Sequence, residues 1–287
     1  MLFYYSFHKM KIYIVTPAWL IKNKNQHETA IENLKKLGFK VLNKKFPTSQ
    51  FSIKQKVQQF HNAFLNKDAD IILAQRGGFG CIKLLPYIDF KIIKNSNKKF
   101  CGFSDLSALL NVISEKTKLI TFHSPMFINF ANTTDFTIKS FLNAINGFQN
   151  NNLFSGAPID IFNHGKSEGI LKGGNLVTLS SLIGTKWDIN TDDTILFLEE
   201  IDEKLYKVDR ALTQWILAGK FNNIKALILG NFRGLKIKDV YNILTQQIKI
   251  NFPIVYCPYI GHLKNKITLP IGAKVKLNTY KSTLEIV

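Results

Sequence analysis

Cysteine is scarce in this 287-residue chain: Cys81, Cys101 and Cys257 stand alone and far apart. That odd, unclustered count excludes a disulfide framework and a cysteine-based zinc site, and it fits a reducing compartment. Long apolar runs are also missing. No stretch approaches the roughly 18 unbroken apolar residues of a membrane-spanning helix. The N-terminal MLFYYSFHKMKIYIV is apolar, but Lys9 and Lys11 split it and no Ala-x-Ala-like site follows, so it does not read as a secretory leader. Met10 abuts the first strand-like run, which makes residues 1–9 a candidate segment ahead of the natural start. The expectation is a soluble, cytoplasmic protein with no membrane contact.

Acid is in short supply as well. Lys and Arg number 38 against 20 Asp and Glu, for a formal charge of +18. A basic face for nucleic acid or another polyanion is one reading. The lysines are spread along the chain, however, and no block of five or six like charges occurs. Lys, Asn, Ile and Phe are abundant together, as AT-rich coding would produce, so compositional drift is the simpler reading and no nucleic-acid partner is expected.

What is present is core material. The chain is 46% hydrophobic with 23 Phe, enough for one large domain or two of ordinary size. The first half alternates strand-like and helix-like runs. KIYIVTPA precedes a helical HETAIENLKKLGFK that ends at Gly38, and VLNKKF reads as a strand. SIKQKVQQFHNAFLNK is helical, DIILAQRGG a buried strand, and LLPYIDFKIIKN mixed or helical. KFCGFS is a strand, DLSALLNVISEKT a helix, LITFHSPM a strand and TIKSFLNAING a helix. Strand-then-helix alternation implies a parallel sheet covered on both faces.

The rhythm breaks between Gly147 and Gly169, where Asn, Gly and Ser accumulate. The expected organisation is an N-terminal α/β domain over 1–147, a linker over 148–168, and a mixed, β-rich α/β domain over 169–287. In the latter, SEGILKGGN, TILFLEEI and IKALILGNF read as strands. LVTLSSLIG, YKVDRALTQWILAGKF and KDVYNILTQQIKI read as helices, and ITLPIGAKVKLNTYKSTLEIV as a β-rich tail.

Four stretches carry chemistry. In CGFSDLSALL a strand meets Gly102 and then Ser104 opens a helix, the geometry of a nucleophile elbow, though the second Gly of the hydrolase pentapeptide is missing. Ser104 or Asp105 as an ordinary helix cap explains the same residues. QRGGFG (Gln75–Gly80) also ends a strand, and its glycines admit close backbone approach. It lacks both the Lys-Ser/Thr ending of a P-loop and the dinucleotide fingerprint, which leaves a role as oxyanion donor.

A serine nucleophile needs a base and an orienting acid. Of the six histidines, His8, His27 and His61 read as tail or polar helix face, and His164 as linker. His123 at a strand end and His262 in a Gly-His loop remain candidates. TILFLEEIDE puts Glu199 and Glu200 at the end of an apolar strand, where alternation aims only one of them at a given face. An acid closing a buried strand is costly unless paired, although both acids marking the strand's wet end is the alternative.

RGGFGCIKLLPYIDF, CGFSDLSALL, TFHSPM, LKGGNLVTLSSLIGT, ILFLEEIDEKLYKVDRAL and IGHLKNKITLPIGA follow one another in an order that resembles the LD-carboxypeptidases, a family of serine peptidases. The likeness runs from about Ile12 to the C-terminus. It implies a Ser-Glu-His triad, with the nucleophile at Ser104, the acid at Glu199 and the base at His262. Oxyanion and substrate contacts are implied for the Asp105 N–H and for Gly77, Gly78 and Phe79. Arg76 is the nearest motif cation for a substrate carboxylate.

The resemblance further implies a parallel α/β N-terminal domain with Glu and His contributed from the C-terminal one, a homodimer, and no metal or cofactor. The implied substrate is a murein tetrapeptide cut before its terminal D-alanine, in peptidoglycan recycling. Phe79 stands where the family usually has Tyr, Ser124 replaces a common Gly, and Thr16–Trp19 replaces Ser/Ala-Pro-Ser-Gly. A relative resembling the microcin C self-immunity peptidases, which cleave peptidyl-nucleotide conjugates, is one alternative. A non-enzymatic basic binding module is another.

Overall fold

The computed structural model describes residues 10–287; His8 and the question of the natural start lie outside that range. The chain first lays down β1 (Lys11–Val15), α1 (Lys24–Lys36), β2 (Lys40–Val41), α2 (Ile53–Leu65), β3 (Ile71–Ala74), α3 (Phe90–Lys94), β4 (Lys99–Gly102), α4 (Ser107–Thr117), β5 (Thr121–His123) and α5 (Asp135–Ile145). Helix starts follow local capping chemistry. Ser52 and Gln55 form a reciprocal capping box at α2, and Asn23 accepts from the Gln26 N–H at α1.

β5, β4, β3, β1 and β2 form a parallel sheet in that spatial order. A sixth strand, β11 (Leu269–Ile271), comes from far along the chain and pairs antiparallel with β5. Strand alternation divides the apolar side chains: Val15, Ile72, Ala74 and Phe100 face one core, Ile12, Ile14, Ile71, Leu73 and Cys101 the other.

The second half contributes β6 (Asp160–Asn163), β7 (Lys166–Asn175), α6 (Leu176–Ser180), β8 (Thr194–Ile201), α7 (Leu205–Leu217), β9 (Ala226–Arg233), α8 (Ile237–Gln247), β10 (Ile254–Tyr256), β12 (Lys274–Asn278) and β13 (Thr283–Ile286). They form a seven-stranded mixed sheet in the order β13-β12-β7-β8-β9-β10-β6, parallel from β7 to β10 and antiparallel at both edges. The fold is thus mixed α/β, with a parallel N-terminal sheet and a β-rich second sheet.

α4 lies between the two halves and is buried along nearly its whole length, including Ser107, Asn111 and Ser114. Its polar groups bolt it to β7. Asn111 Nδ2 donates to the Gly173 carbonyl at 2.8 Å and Asn111 Oδ1 accepts from the Gly173 N–H at 3.0 Å. Ser107 Oγ accepts from the Asn175 N–H at 3.0 Å. The approach is close enough that a Cβ on Gly174, whose φ is +145°, would lie 2.3 Å from Ser107 Oγ.

Several sequence expectations need correction. The second strand is only Lys40–Val41, because Leu42–Phe46 leaves the sheet edge as irregular backbone. Residues 81–87 form a 3₁₀ helix around Pro86 before the short α3. β4 stops at Gly102, and residues 104–106 make a 3₁₀ turn before α4 begins at Ser107. The segment 148–168 carries β6, and β10 completes that sheet although no strand was expected at either place. His27 is not on a polar helix face. It is buried, its Nε2 sits 3.0 Å from the Lys44 carbonyl, and its ring packs edge-on against Phe46 and Phe127.

Candidate active site

β4 leads into Phe103, whose ring packs against His123 at the end of β5 and against His262. Ser104 follows Phe103, at φ +66°, in the left-handed region that non-glycine residues avoid. An ordinary helix cap has extended backbone and accepts a bond from the first turn. Ser104 does neither, and no hydrogen bond of its Oγ occurs among the described residues. The turn that produces this φ depends on Gly102, where a Cβ would lie 2.9 Å from Leu106 and 3.2 Å from Ala74.

The glycine loop after β3 presses on the same serine. A Cβ on Gly77 would stand 2.9 Å from both Cβ and Oγ of Ser104, so only bare backbone fits there. Asp105 ties the two turns together: its Oδ2 accepts from the Cys81 N–H at 2.9 Å. Burial raises the Asp105 pKa, partly opposed by that same N–H. The N–H groups of Gly78, Phe79 and Asp105 donate to no backbone acceptor among the described residues, which leaves them available to an incoming oxyanion. Phe79 itself is exposed, with the Lys83 ammonium 4.7 Å from its ring centre.

Glu199 and His262 come from the second half. Glu199 closes β8 with no exposed surface, and His262 Nδ1–H donates to its Oε2 at 2.7 Å. A carboxylate only accepts, so this bond places a hydrogen on Nδ1 and leaves Nε2 as the ring nitrogen not engaged by the acid. Two glycines make room for the acid. A Cβ on Gly261 (φ +117°) would lie 2.7 Å from Glu199 Oε2, and one on Gly230 3.0 Å from Glu199 Cβ. Glu199 Oε1 is buried without a partner among the described residues.

Glu200 is also buried, not at a wet strand end, and serves a different purpose. It accepts from Asn175 Nδ2 (2.7 Å), the Val177 N–H (2.8 Å) and the Ile201 N–H (2.9 Å), fastening the start of α6. Burial raises its pKa against those three bonds.

The structure therefore joins Glu199 and His262 directly and sets His262 against the residue preceding Ser104, with the Phe103 and His262 ring centres 4.7 Å apart. No hydrogen bond joins Ser104 Oγ to His262. His123, the other candidate base, is buried against Phe103 and Phe197. Its Nδ1 lacks a partner among the described residues, and burial lowers its pKa to about 4. His164 stacks on Tyr280 and His61 accepts from the Asp89 N–H.

Lys266 was not foreseen. It is buried, its Nζ donates to the Leu263 carbonyl and lies 5.3 Å from the Phe103 ring centre. Burial lowers its pKa to about 8, against the attraction of Glu199. A lysine four residues beyond a candidate histidine was the available signal, but lysine is so common here that position alone did not single it out. Arg76 stands on the other side of the glycine loop, its guanidinium 5.7 Å from the Trp19 ring centre. Among the described residues, no group of three or more His, Cys, Asp or Glu is placed to hold a metal ion, and no helix is long and apolar enough to cross a membrane.

Comparison with known proteins matches the same two halves. Residues 12–124 match the model of the LD-carboxypeptidase N-terminal domain and residues 168–277 that of the LD-carboxypeptidase C-terminal domain. A probable murein peptide carboxypeptidase of Bacillus subtilis is 30% identical over 90% of this chain and 86% of its own. The crystal structure of an MccF-like protein from Bacillus anthracis superposes with a TM-score of 0.86 at 27% identity, covering 97% of this chain and 96% of that one. Muramoyltetrapeptide carboxypeptidase from Oxalobacter formigenes superposes with a TM-score of 0.79 at 27% identity, covering 96% and 98%. Both halves matching in order, the chain belongs to the LD-carboxypeptidase family of serine peptidases.

Proposed function

We propose that this protein is a serine carboxypeptidase that releases the terminal D-alanine from murein tetrapeptides during peptidoglycan recycling in the cytoplasm, acting as a homodimer. The observation that carries the reading is the Glu199–His262 pair at 2.7 Å, set beside a serine held at φ +66°. His262 Nε2 takes the Ser104 proton and Ser104 Oγ attacks the carbonyl before the D-residue. The tetrahedral oxyanion is received by the Asp105 N–H and an N–H of the Gly77–Phe79 loop, each such donor contributing about 3 kcal/mol to the transition state. The C–N bond breaks as His262 returns the proton to the leaving amine. Water then hydrolyses the ester by the same route in reverse. Closing of the Ser104–His262 bond accompanies substrate binding, as catalytic hydrogen bonds commonly tighten in the Michaelis complex.

The test is release of D-alanine from a murein tetrapeptide by wild type and by Ser104→Ala. Release that disappears in the variant supports both reaction and nucleophile; folded wild type that releases none refutes the murein reading. A second reading, cleavage of a peptidyl-nucleotide conjugate, is favoured by the MccF-like structural neighbour and by two exposed aromatic rings, Trp19 and Phe79, beside the glycine loop. Turnover of an aminoacyl sulfamoyl nucleoside in place of the tetrapeptide would select it.

A further inference from the structure

The C-terminal edge of the parallel sheet continues past the candidate nucleophile. From β4, with Ser104, it runs over β3, with Arg76 to Gly78, then β1 and β2. A groove of about 680 Å³ opens there, lined by Trp19, Lys22, Phe46, Thr48 and Arg76 among others, with no acidic side chain among the residues that line it. Its walls are built rather than incidental. The Trp19 ring lies on Gly78, where a Cβ would come within 2.5 Å of it. Gln75 Oε1 accepts from the Ile21 N–H at 3.1 Å, fixing the loop that carries Trp19 and Lys22. Arg76 stacks on Trp19 and spends only one long bond, 3.5 Å, on the Leu20 carbonyl. Most of its five donors are unused, and neither Arg76 nor Lys22 is ion-paired among the described residues.

The groove's side of the nucleophile gives its direction. His262 approaches from the opposite side, where its loop runs into β11 and pairs beside His123 of β5. If His262 returns a proton to the leaving amine, the departing D-residue lies on that side. The acyl portion then runs the other way, across Gly77 and Gly78 toward β1 and β2. Strands are spaced about 4.8 Å apart, so the path from β4 to β2 is about 15 Å, room for three or four extended residues at about 3.3 Å each. An unpaired guanidinium and an ammonium around an exposed indole suit a carboxylate carried on a peptide.

We propose that this groove holds the acyl-side portion of the substrate and selects a free carboxylate there through Arg76, assisted by Lys22. The proposal rests on the serine-peptidase reading above. It is tested by binding, without turnover. Titration calorimetry on the Ser104→Ala protein compares L-Ala-γ-D-Glu-L-Lys-D-Ala, whose glutamyl α-carboxylate is free, with the same peptide bearing a carboxamide there. The terminal D-alanine carboxylate is common to both.

The free acid is expected to bind about 10-fold more tightly. Adding Arg76→Gln removes that preference by weakening the acid alone, and Lys22→Gln, on an exposed side chain, reduces it. Equal affinities of the two peptides, equal weakening of both by Arg76→Gln, or no binding of either overturns the proposal. Release of D-alanine by wild type, scored separately, reports on the peptidase reading whichever way the binding falls.

Discussion

Replacing Glu199 by Gln keeps the shape of the site and removes one charge. If His262 becomes an imidazolium as Ser104 attacks, the carboxylate at 2.7 Å stabilises that charge. With charge centres about 4 Å apart and an effective dielectric constant of about 20, the attraction is about 4 kcal/mol, or about 1,000-fold in rate. Glutamine can also turn its NH₂ toward Nδ1, which favours the wrong tautomer and adds to the loss. Stability should change little, unlike the loss expected on breaking a structural ion pair, because two effects oppose each other. Glu199 is fully buried with one oxygen unpartnered among the described residues, so neutralising it relieves desolvation while leaving an amide imperfectly bonded.

The expected outcome is kcat/KM lowered about 1,000-fold with Tm within about 3 °C of wild type. Glu200→Gln provides the contrast. Its two oxygens accept three bonds, so the amide meets donors with a donor and loses about 1–3 kcal/mol of stability, with a smaller effect on turnover. D-alanine release and thermal melts on both variants decide the matter. A less than 10-fold loss in Glu199→Gln, or the two variants exchanging phenotypes, would refute this assignment of the adjacent acids.

Two more outcomes follow from the site. Ser104→Gly and Ser104→Ala should both be inactive, but the glycine variant should be the more stable by about 1 kcal/mol in denaturant melts, because φ +66° strains only residues with a Cβ; equal stability or the reverse order refutes strain at the elbow. His123, with a folded pKa near 4 against 6.5 in its ordinary state, stays neutral in the fold while the unfolded chain binds a proton below pH 6.5. Its contribution is intact above that pH and falls by about 1.4 kcal/mol per unit as pH drops from 6.5 toward 4; a His123→Gln variant whose melting temperature keeps the wild-type acid slope would contradict it.

The central strands were legible because burial alone specifies them: IILA in β3 and TILFLEE in β8 are buried at every position. VLNKKF failed because β-propensity in Val41 and Phe46 cannot indicate whether a neighbour exists to pair with, and β2 lies at the sheet edge after two residues. β10 and β6 were missed since IVY and DIFN are too short to show alternation and gain their partners only in three dimensions.

At the site, Ser104, Glu199 and His262 could be named from motif order, but the residues alone left Glu199 and Glu200 interchangeable. A one-residue difference in strand facing separates them, as period-2 alternation requires, yet which face meets His262 depends on the Gly261 loop far along the chain. His27 went wrong for a related reason: it sits in a polar stretch of α1, but Phe46 and Phe127 close over it from elsewhere. Lys266 was invisible because a lysine's burial is a property of the surrounding fold.

The candidate triad has its serine at the end of a strand of one sheet, its acid on a strand of the other and its base on the loop that crosses from the second sheet to the first, so its geometry depends on how firmly the halves are registered. The register runs through backbone. Ser104 is followed within three residues by α4, and α4 is fixed to β7 by both polar groups of Asn111 on Gly173 and by Ser107 on Asn175. β7 in turn pairs in parallel with β8, Asn175 opposite Glu199. The path from α4 to Glu199 therefore crosses only buried hydrogen bonds and one strand ladder.

Glycine makes that path short. A Cβ at Gly173 would fall within 1.8 Å of the Phe197 carbonyl, and one at Gly174 within 2.3 Å of Ser107 Oγ. A side chain at Gly174 would push α4 away from β7, and Ser104 with it, and one at Gly173 would push β7 off β8. The LKGGN stretch thus sets the separation between Ser104 and Glu199 through backbone contacts on both sides.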